Sequence, residues 1–392
     1  MHIVFFLDQH IDSPGGAQGS ARLQRKYLER LGHAVSICSP QPDGNQWRPA
    51  EVVLPSRKLQ ADGVYRAIIP TKRLARDMEQ QLLALPAIDI IHLQGDFSSV
   101  LLGVWFARRH AIPTVLTYHT NLPAGLDATL SPLQKQLVMG GMGVFAKQFI
   151  GSSLATAWQL RDPAAFQAEL GRHVDLRTAP SQHFARLLEQ RGVPAPVHVV
   201  SNGIDDDLVA TVESISPREP VIVWAGRMSA EKRPLEFLEA VAESGTHAMV
   251  DMYGQGTLYE AVKEKVAALH LEQQVVLHGH VTHEELFAVL AKSSILVQSS
   301  VGFETQGMTL FEATTFGVHV VVSDPDLVEG LAEGEYTLAR HESVSALAEA
   351  LSTAVRQCEA ASVKIREKKT THLQSRFTSE MVALYESVTA KQ

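Results

Sequence analysis

The strongest constraint in this chain is an alternation: short β-rich apolar runs are separated by longer amphipathic ones, and the series occurs twice. In the first half the expected strands are Ile3 to Leu7, Ala34 to Ser39, Asp89 to Leu93 and Thr114 to Tyr118. Helices are expected from near Gly16 to Gly32, from about Thr71 to Leu85 and from Ser98 to His110. After residue 200 the pattern restarts, with strands at Val221 to Trp224, His247 to Tyr253, Gln274 to His278, Ser294 to Gln298 and Val318 to Ser323. Helices there begin near Pro234, Leu258, His283 and Thr309. Such alternation is the pattern of a parallel sheet covered by helices, so the fold class expected is α/β, with two Rossmann-like domains and a cleft. A chain of 392 residues is long enough for each domain to bury its own core. Pro194, Pro196, Pro217 and Pro220 mark the changeover. The expected boundaries are 1–196 for an N-terminal domain, 197–220 for a hinge, 221–375 for a second domain and 376–392 for a closing helix, "SEMVALYESV".

Composition narrows the classes of function. The longest apolar stretches, Val100 to Ala107 and Leu137 to Ala146, reach roughly ten residues, well short of the ~20 a spanning helix needs. "MHIVFFLDQH" meets Asp8 after a short apolar run and lacks a basic lead-in, so it reads as a first strand and the protein is expected in the cytoplasm. Cys38 and Cys358 are too few for a disulfide framework or a thiolate metal site and are expected to be buried. A net charge of -8 argues against a nucleic-acid partner. Arg57, Lys58, Arg66, Lys72, Arg73 and Arg76, with Arg108, Arg109 and His110, form a basic segment that reads either as solvated surface or as a patch for anionic lipid headgroups.

In open parallel sheets ligands collect beyond the carboxyl ends of the strands, where loops feed helix N-termini. Four loops are candidates. In "SSVGFETQGMTLFEA", Gly307 lets a ligand approach the backbone, and the first-turn amides of Met308, Thr309 and Leu310 suit an anion. Glu312 there admits two readings, since Thr309 and Glu312 have the T-x-x-E spacing of a capping box and equally the position of a ligand contact. Glu304, in the loop, is placed to accept hydrogen bonds from hydroxyl groups, or is an exposed loop acid. In "VIVWAGRMSAEKRP" a strand runs into Gly226, followed by Arg227 and Lys232, two cations suited to a diphosphate. In "LDQHIDSPGGAQGS", Gly15 and Gly16 open a helix but lack the G-x-G-x-x-G spacing of a dinucleotide site. "MYGQGTLY" lacks it too, which leaves a dehydrogenase poorly supported. In "VLTYHTN", His119 ends a strand, where a lone histidine is structural or catalytic. No H-E-x-x-H, G-x-S-x-G or Walker spacing appears, so no metal site is expected.

Together these stretches resemble the retaining glycosyltransferases of family 4, which have the GT-B fold. "SPGGAQGSARLQRKYLERLGHAV", "TYHTN", "TAPSQHFARLLEQRG", "VVSNGID", "AGRMSAEKRP" and "GFETQGMTLFEATTFGVHVVVSD" carry the likeness, nearly end to end. The resemblance implies two domains facing each other across a cleft and a C-terminal helix returning to the first. It implies that Glu312 holds the ribose of a UDP- or GDP-linked hexose, and that Met308 and Thr309 offer amides to its diphosphate. Arg227 and Lys232 would neutralise that diphosphate, Glu304 would grip the sugar, and His119 would contact the sugar from the opposite domain. Gly16 would approach the phosphates, and Asn202 with Gly203 would form the hinge. Attack with retention, without metal or cofactor, and an acceptor hydroxyl on a lipid or glycan follow from the same likeness. Gln306, where many members have an aromatic residue, is similar to a subset containing glycolipid-forming glucosyl- and mannosyltransferases. The N-terminal stretch also resembles the phosphatidylinositol mannosyltransferases, which suits the basic segment and implies a peripheral place at the inner face of the cell membrane. A nucleotide-sugar epimerase or phosphorylase of the same fold, or a non-catalytic sugar-nucleotide binding subunit, are the alternatives.

Overall fold

The structure, a computed structural model, describes residues 1–41, 50–58, 66–213, 215, 219–360 and 367–390, with the side chains of 154, 155 and 157 excepted. Of the changeover prolines, Pro217 lies outside the described residues. The chain divides into two compact units, Met1–Gly203 with Gln374–Gln392, and Ile204–Leu373.

The first unit runs β1 (His2–Phe6), α1 (Gly16–Arg30), β2 (Ala34–Pro40), β3 (Val52–Leu54), the small hairpin β4 (Arg57–Lys58) and β5 (Arg66–Ala67), α2 (Lys72–Leu83), β6 (Ile90–Leu93), α3 (Ser98–His110) and β7 (Thr114–Thr117). It continues with α4 (Leu122–Thr129), α5 (Pro132–Ile150), α6 (Leu154–Gln159), α7 (Pro163–Arg172), β8 (Leu176–Ala179), α8 (Gln182–Gln190) and β9 (Val197–Val199). Seven strands form one parallel sheet in the order β3-β2-β1-β6-β7-β8-β9. Because side chains alternate across a strand, Ile3 and Phe5 of β1 enter one core and Val4 and Phe6 the other, and all four are fully buried. Full burial of each such side chain contributes about 1.5–3 kcal/mol. The closing helix of the chain belongs to this unit: its Phe377, Met381, Tyr385 and Val388 recur at helical spacing on the Ile3/Phe5 side.

The second unit runs α9 (Asp206–Thr211), β10 (Val221–Ala225), a 3-10 turn (Ala230–Lys232), α10 (Pro234–Ser244), β11 (Met249–Tyr253), α11 (Tyr259–Ala268), β12 (Val275–Gly279) and α12 (His283–Leu290). Then follow β13 (Ile295–Gln298), α13 (Met308–Thr315), β14 (His319–Val322), a second 3-10 turn (Pro325–Val328), β15 (Tyr336–Leu338) and α14 (Val344–Glu359), before the closing helix α15 (Gln374–Thr389). Six parallel strands are ordered β12-β11-β10-β13-β14-β15. Two Rossmann-like sheets are thus observed. In each, strand order reverses once, between β1 and β6 and between β10 and β13, which is where a doubly wound sheet opens its ligand crevice.

Sequence reading missed β3, β8, β9 and β15 because "VVL", "LRTA", "VHV" and "YTL" are too short to show a period. Cys38 is fully buried, whereas Cys358 stays partly exposed at the end of α14.

Candidate active site

The reversal point of the second sheet brings two candidate loops together, since β10 and β13 are parallel neighbours and both loops leave the same edge. The loop after β10 is zipped to the loop after β11 through backbone bonds from Gly226 N to Tyr253 O, Met228 N to Gln255 O and Leu258 N to Met228 O. A β-carbon at Gly254 would lie 1.8 Å from the Gly226 carbonyl oxygen, and one at Gly256 2.4 Å from that of Met228. The glycines of "MYGQGTLY" therefore serve backbone-to-backbone contact, which accounts for them without a dinucleotide. On this scaffold Arg227 donates to Glu231 Oε1 at 2.9 Å, and Ser229 donates to the same oxygen. Burial alone would raise the Glu231 pKa, but the bonds from Ser229, its own backbone and Arg227 hold it below the usual range.

In the loop after β13, Glu304 Oε1 accepts from three donors: the Lys232 ammonium, Gln298 Nε2 at 3.0 Å and Ser300 Oγ at 3.2 Å. Lys232 also stands 5.7 Å from the Phe303 ring centroid. Gln298, the last residue of β13 and buried, accepts from Thr309 Oγ1 at 3.1 Å. It ties Glu304 to the first turn of α13. Asp324 Oδ2 accepts from Gly302 N at 2.7 Å and pins the loop from the next strand.

Helix α13 starts at Met308, with Gly307 as its N-cap in a left-handed conformation (φ 74°) and no side-chain cap. The capping-box reading of Glu312 is excluded: Thr309 turns to Gln298, and Glu312 Oε1 pairs with His283 Nε2 at 2.7 Å. Glu312 is 3% exposed, and its Oε2 has no hydrogen-bond partner among the described residues. A buried carboxylate oxygen without a donor is costly, and a hydroxyl-bearing ligand would supply one.

The reversal point of the first sheet is built differently. Asp8, just past β1, caps α3: Oδ2 accepts from the amides of Asp96 and Phe97 at 2.7 and 2.8 Å, and Oδ1 from Ser99 at 2.9 Å. Asp96, past β6, has its pKa pushed up to about 7, by burial first and by Asp8, against a hydrogen bond from Thr120. His119, past β7, bonds Gln94 Oε1 at 3.3 Å. The residue as a whole is half-buried, and loss of hydration around the imidazole lowers its pKa to about 4, so it is neutral at pH 7. Behind it, buried His92 joins Tyr385 Oη at 2.6 Å and Thr117 Oγ1 at 2.7 Å. Gly15 is the N-cap of α1, and a β-carbon on Gly16 would meet nothing within 4 Å, so packing does not require that glycine.

Residues 14–208 match the model of glycosyltransferase family 4, and residues 207–370 that of glycosyl transferases group 1. The chain belongs to the family 4 glycosyltransferases. This glycosyltransferase is 24% identical to an alpha-monoglucosyldiacylglycerol synthase of Streptococcus pneumoniae, over 90% of this chain and 78% of that one. It is 21% identical to the Acholeplasma laidlawii protein of the same name over 85% and 83%, and 23% identical to a GDP-mannose-dependent alpha-mannosyltransferase of Mycobacterium tuberculosis over 83% and 79%. Its fold is shared with Anabaena HepE in complex with UDP (TM-score 0.62, 16% identity, 99% of this chain and 100% of that one). Sucrose-phosphate synthase of Thermosynechococcus elongatus is similar too (TM-score 0.67, 16% identity, 100% of both). Both neighbours support the GT-B architecture.

In the glycosyltransferase, Gly226, Arg227, Lys232, Glu304, Gly307, Met308, Thr309 and Glu312 all stand on the β10/β13 edge, and Gly15, Gly16 and His119 on the carboxyl edge of the first sheet. Sequence reasoning missed Glu231, Gln298 and His283. A glutamine closing the otherwise apolar strand "ILVQ" was a usable signal for Gln298; nothing in "VTHEEL" marked His283 as the partner of a residue on another helix. Among the described residues no group of three or more His, Cys, Asp or Glu side chains gathers as a metal site would.

Proposed function

We propose that this enzyme is a retaining hexosyltransferase moving a hexose from a UDP- or GDP-linked donor to a hydroxyl of a lipid or glycan acceptor. The observation that carries the donor assignment is the buried, unpartnered Oε2 of Glu312 beside the uncapped N-terminus of α13. A ribose hydroxyl donates to that oxygen, and the diphosphate lies at the amides of Met308 and Thr309, where the helix dipole favours negative charge. Arg227 and Lys232 then meet the charge that grows on the leaving phosphate, and Glu304, held by Lys232, Gln298 and Ser300, faces the sugar hydroxyls. Because their partners position them beforehand, these donors need no reorganisation during reaction.

In the step itself the bond from the anomeric carbon to the donor phosphate oxygen breaks while the acceptor oxygen bonds to that carbon from the same face. The acceptor proton passes to the departing phosphate. No protein carboxylate need attack, and the reading uses no metal. The names of the lipid-glycosylating relatives favour a diacylglycerol-type acceptor and a glucosyl donor. Gly15, Gly16 and His119 are proposed as donor contacts, His119 acting as a neutral hydrogen-bonding group.

Thermal melts against a panel of UDP-, GDP- and ADP-sugars test this, because a ligand bound only by the folded protein raises the melting temperature. One nucleotide sugar is expected to raise it and, with diacylglycerol present, to yield a glycolipid of unchanged anomeric configuration. No shift with any donor at millimolar concentration, or product of inverted configuration, overturns the proposal.

A further inference from the structure

A helix buried on one side of a soluble protein is ordinarily polar on the other. Helix α5 is not. Met139, Met142, Gly143, Ala146, Phe149 and Ile150 face inward. On the far side Leu133, Leu137 and Val144 stand 70%, 68% and 62% exposed. At about 100° per residue these three fall within a stripe roughly 40° wide, and Gly140 lies beside it. Helix α6 packs along α5 and adds Trp158, 66% exposed. The Arg161 guanidinium covers the Trp158 ring at 3.7 Å from its centroid, and Arg161 Nε lies 3.8 Å from where a β-carbon on Gly140 would be, so this pair adjoins the stripe. Elsewhere, exposed large apolar residues are scattered.

Charge is as uneven as polarity. Between Asp127 and Asp162 the sequence contains no acidic residue, although 43 acids outnumber 35 basic residues in the chain. That interval holds Lys135, which pairs with Asp127, together with Lys147 and Arg161. Of the nine basic residues singled out from the sequence alone, three face acids nearby: Arg109 and His110 face Glu79 at 3.0 and 2.8 Å, and Arg73 faces Asp77 at 3.8 Å.

We propose that the outer face of α5, with Trp158 and Arg161 beside it, docks the protein on the surface of an anionic lipid bilayer. Apolar side chains enter the acyl boundary, a tryptophan takes the interface, and lysine and arginine meet the headgroups. The same stretch of a second copy, residues 128–161, would bring no acidic residue to those cations. No described helix is long and apolar enough to cross the membrane, so the contact is one of lying on it. Helices α4 and α5 follow directly on the His119 segment in the chain, and α5 packs against α3, the helix that Asp8 caps. Only the use of the surface, meeting a lipid acceptor where it resides, rests on the proposed function.

Flotation of the full chain with phosphatidylglycerol/phosphatidylcholine vesicles, and with phosphatidylcholine alone, tests the proposal. Wild type is expected to float with the anionic vesicles and to be released by salt. L137E/V144E is expected to weaken that binding more than about tenfold while keeping the wild-type melting temperature and donor-induced shift. K147E/R161E is expected to weaken it and flatten its salt dependence, and serves alone if the first variant misfolds. Absence of vesicle binding by wild type, or binding by both variants equal to wild type, overturns the proposal. So does light scattering that shows a wild-type dimer which L137E/V144E makes monomeric. Vesicle binding without any donor-induced shift would leave the docking face standing and remove the transferase assignment instead.

Discussion

The two sheets reverse strand order in the same way, yet their carboxyl edges carry opposite electrostatic designs. At the β10/β13 edge the ionisable groups are paired: Arg227 with Glu231, Lys232 with Glu304, His283 with Glu312. At the β1/β6 edge burial favours neutral forms, with His92 and His119 shifted down and Asp96 shifted up. Topology therefore places a crevice but does not decide its chemistry; that depends on whether each group is given a counter-charge or only desolvated. A paired edge holds its cations in place for a charged diphosphate. A desolvated edge suits groups that offer hydrogen bonds without net charge.

The steepest way to break this contrast is Lys232→Ala. If the paired edge serves the leaving group, turnover is expected to fall by about 10²–10³-fold, the range for losing one preorganised donor. The Lys232 side chain is partly exposed, so the circular dichroism and melting curve are expected to stay near wild type. Steady-state rates within a few-fold of wild type would show the Lys232–Glu304 pair to be structural.

A smaller effect is expected from Glu312→Gln. The amide oxygen can keep the contact with His283, which leaves an NH2 donor in place of Oε2, so the acceptor offered to the ribose is lost together with the charge. Weakening of nucleotide-sugar binding by about tenfold or more is expected in calorimetry, in line with loss of a hydrogen bond to a charged group. Unchanged affinity would leave Oε2 without the ribose assigned to it.

Much of this edge was legible in the sequence because its parts are local. Strand, glycine and cation follow one another in "VIVWAGRMSAEKRP", and the two glutamates flank one glycine in "GFETQG" and the helix after it. What was not legible depends on contacts between distant segments. Thr309 and Glu312 carry a capping-box spacing, but Gln298 on β13 and His283 on α12 take those side chains instead, and no local pattern announces it. The desolvated edge was the least readable: Asp8, Asp96 and His119 follow three different strands, and the polar chain behind His119 ends at Tyr385, near the other end of the sequence. The outer face of α5 escaped for a simpler reason, since "LVMGGMGVFA" reads as a buried run whether one side or both are covered.

The smallest expected effect is also the one that isolates the desolvated edge. An acid whose folded pKa lies at about 7, against an ordinary 3.8, contributes most stability below the lower value and loses it as pH rises through the window between them. His119, neutral in the folded state down to about 4 against an ordinary 6.5, acts oppositely: the unfolded chain takes up a proton first as pH falls, and stability is lost in that direction. Asp96→Asn removes only the first contribution. Its melting temperature relative to wild type is therefore expected to be higher at pH 8 than at pH 5, by about 2–4 °C for each kcal/mol recovered. Scanning calorimetry of both proteins at the two pH values reads the difference directly. Equal displacement at both would mean that Asp96 ionises in its ordinary range, and the β1/β6 edge would then carry a second full carboxylate charge beside Asp8 at neutral pH.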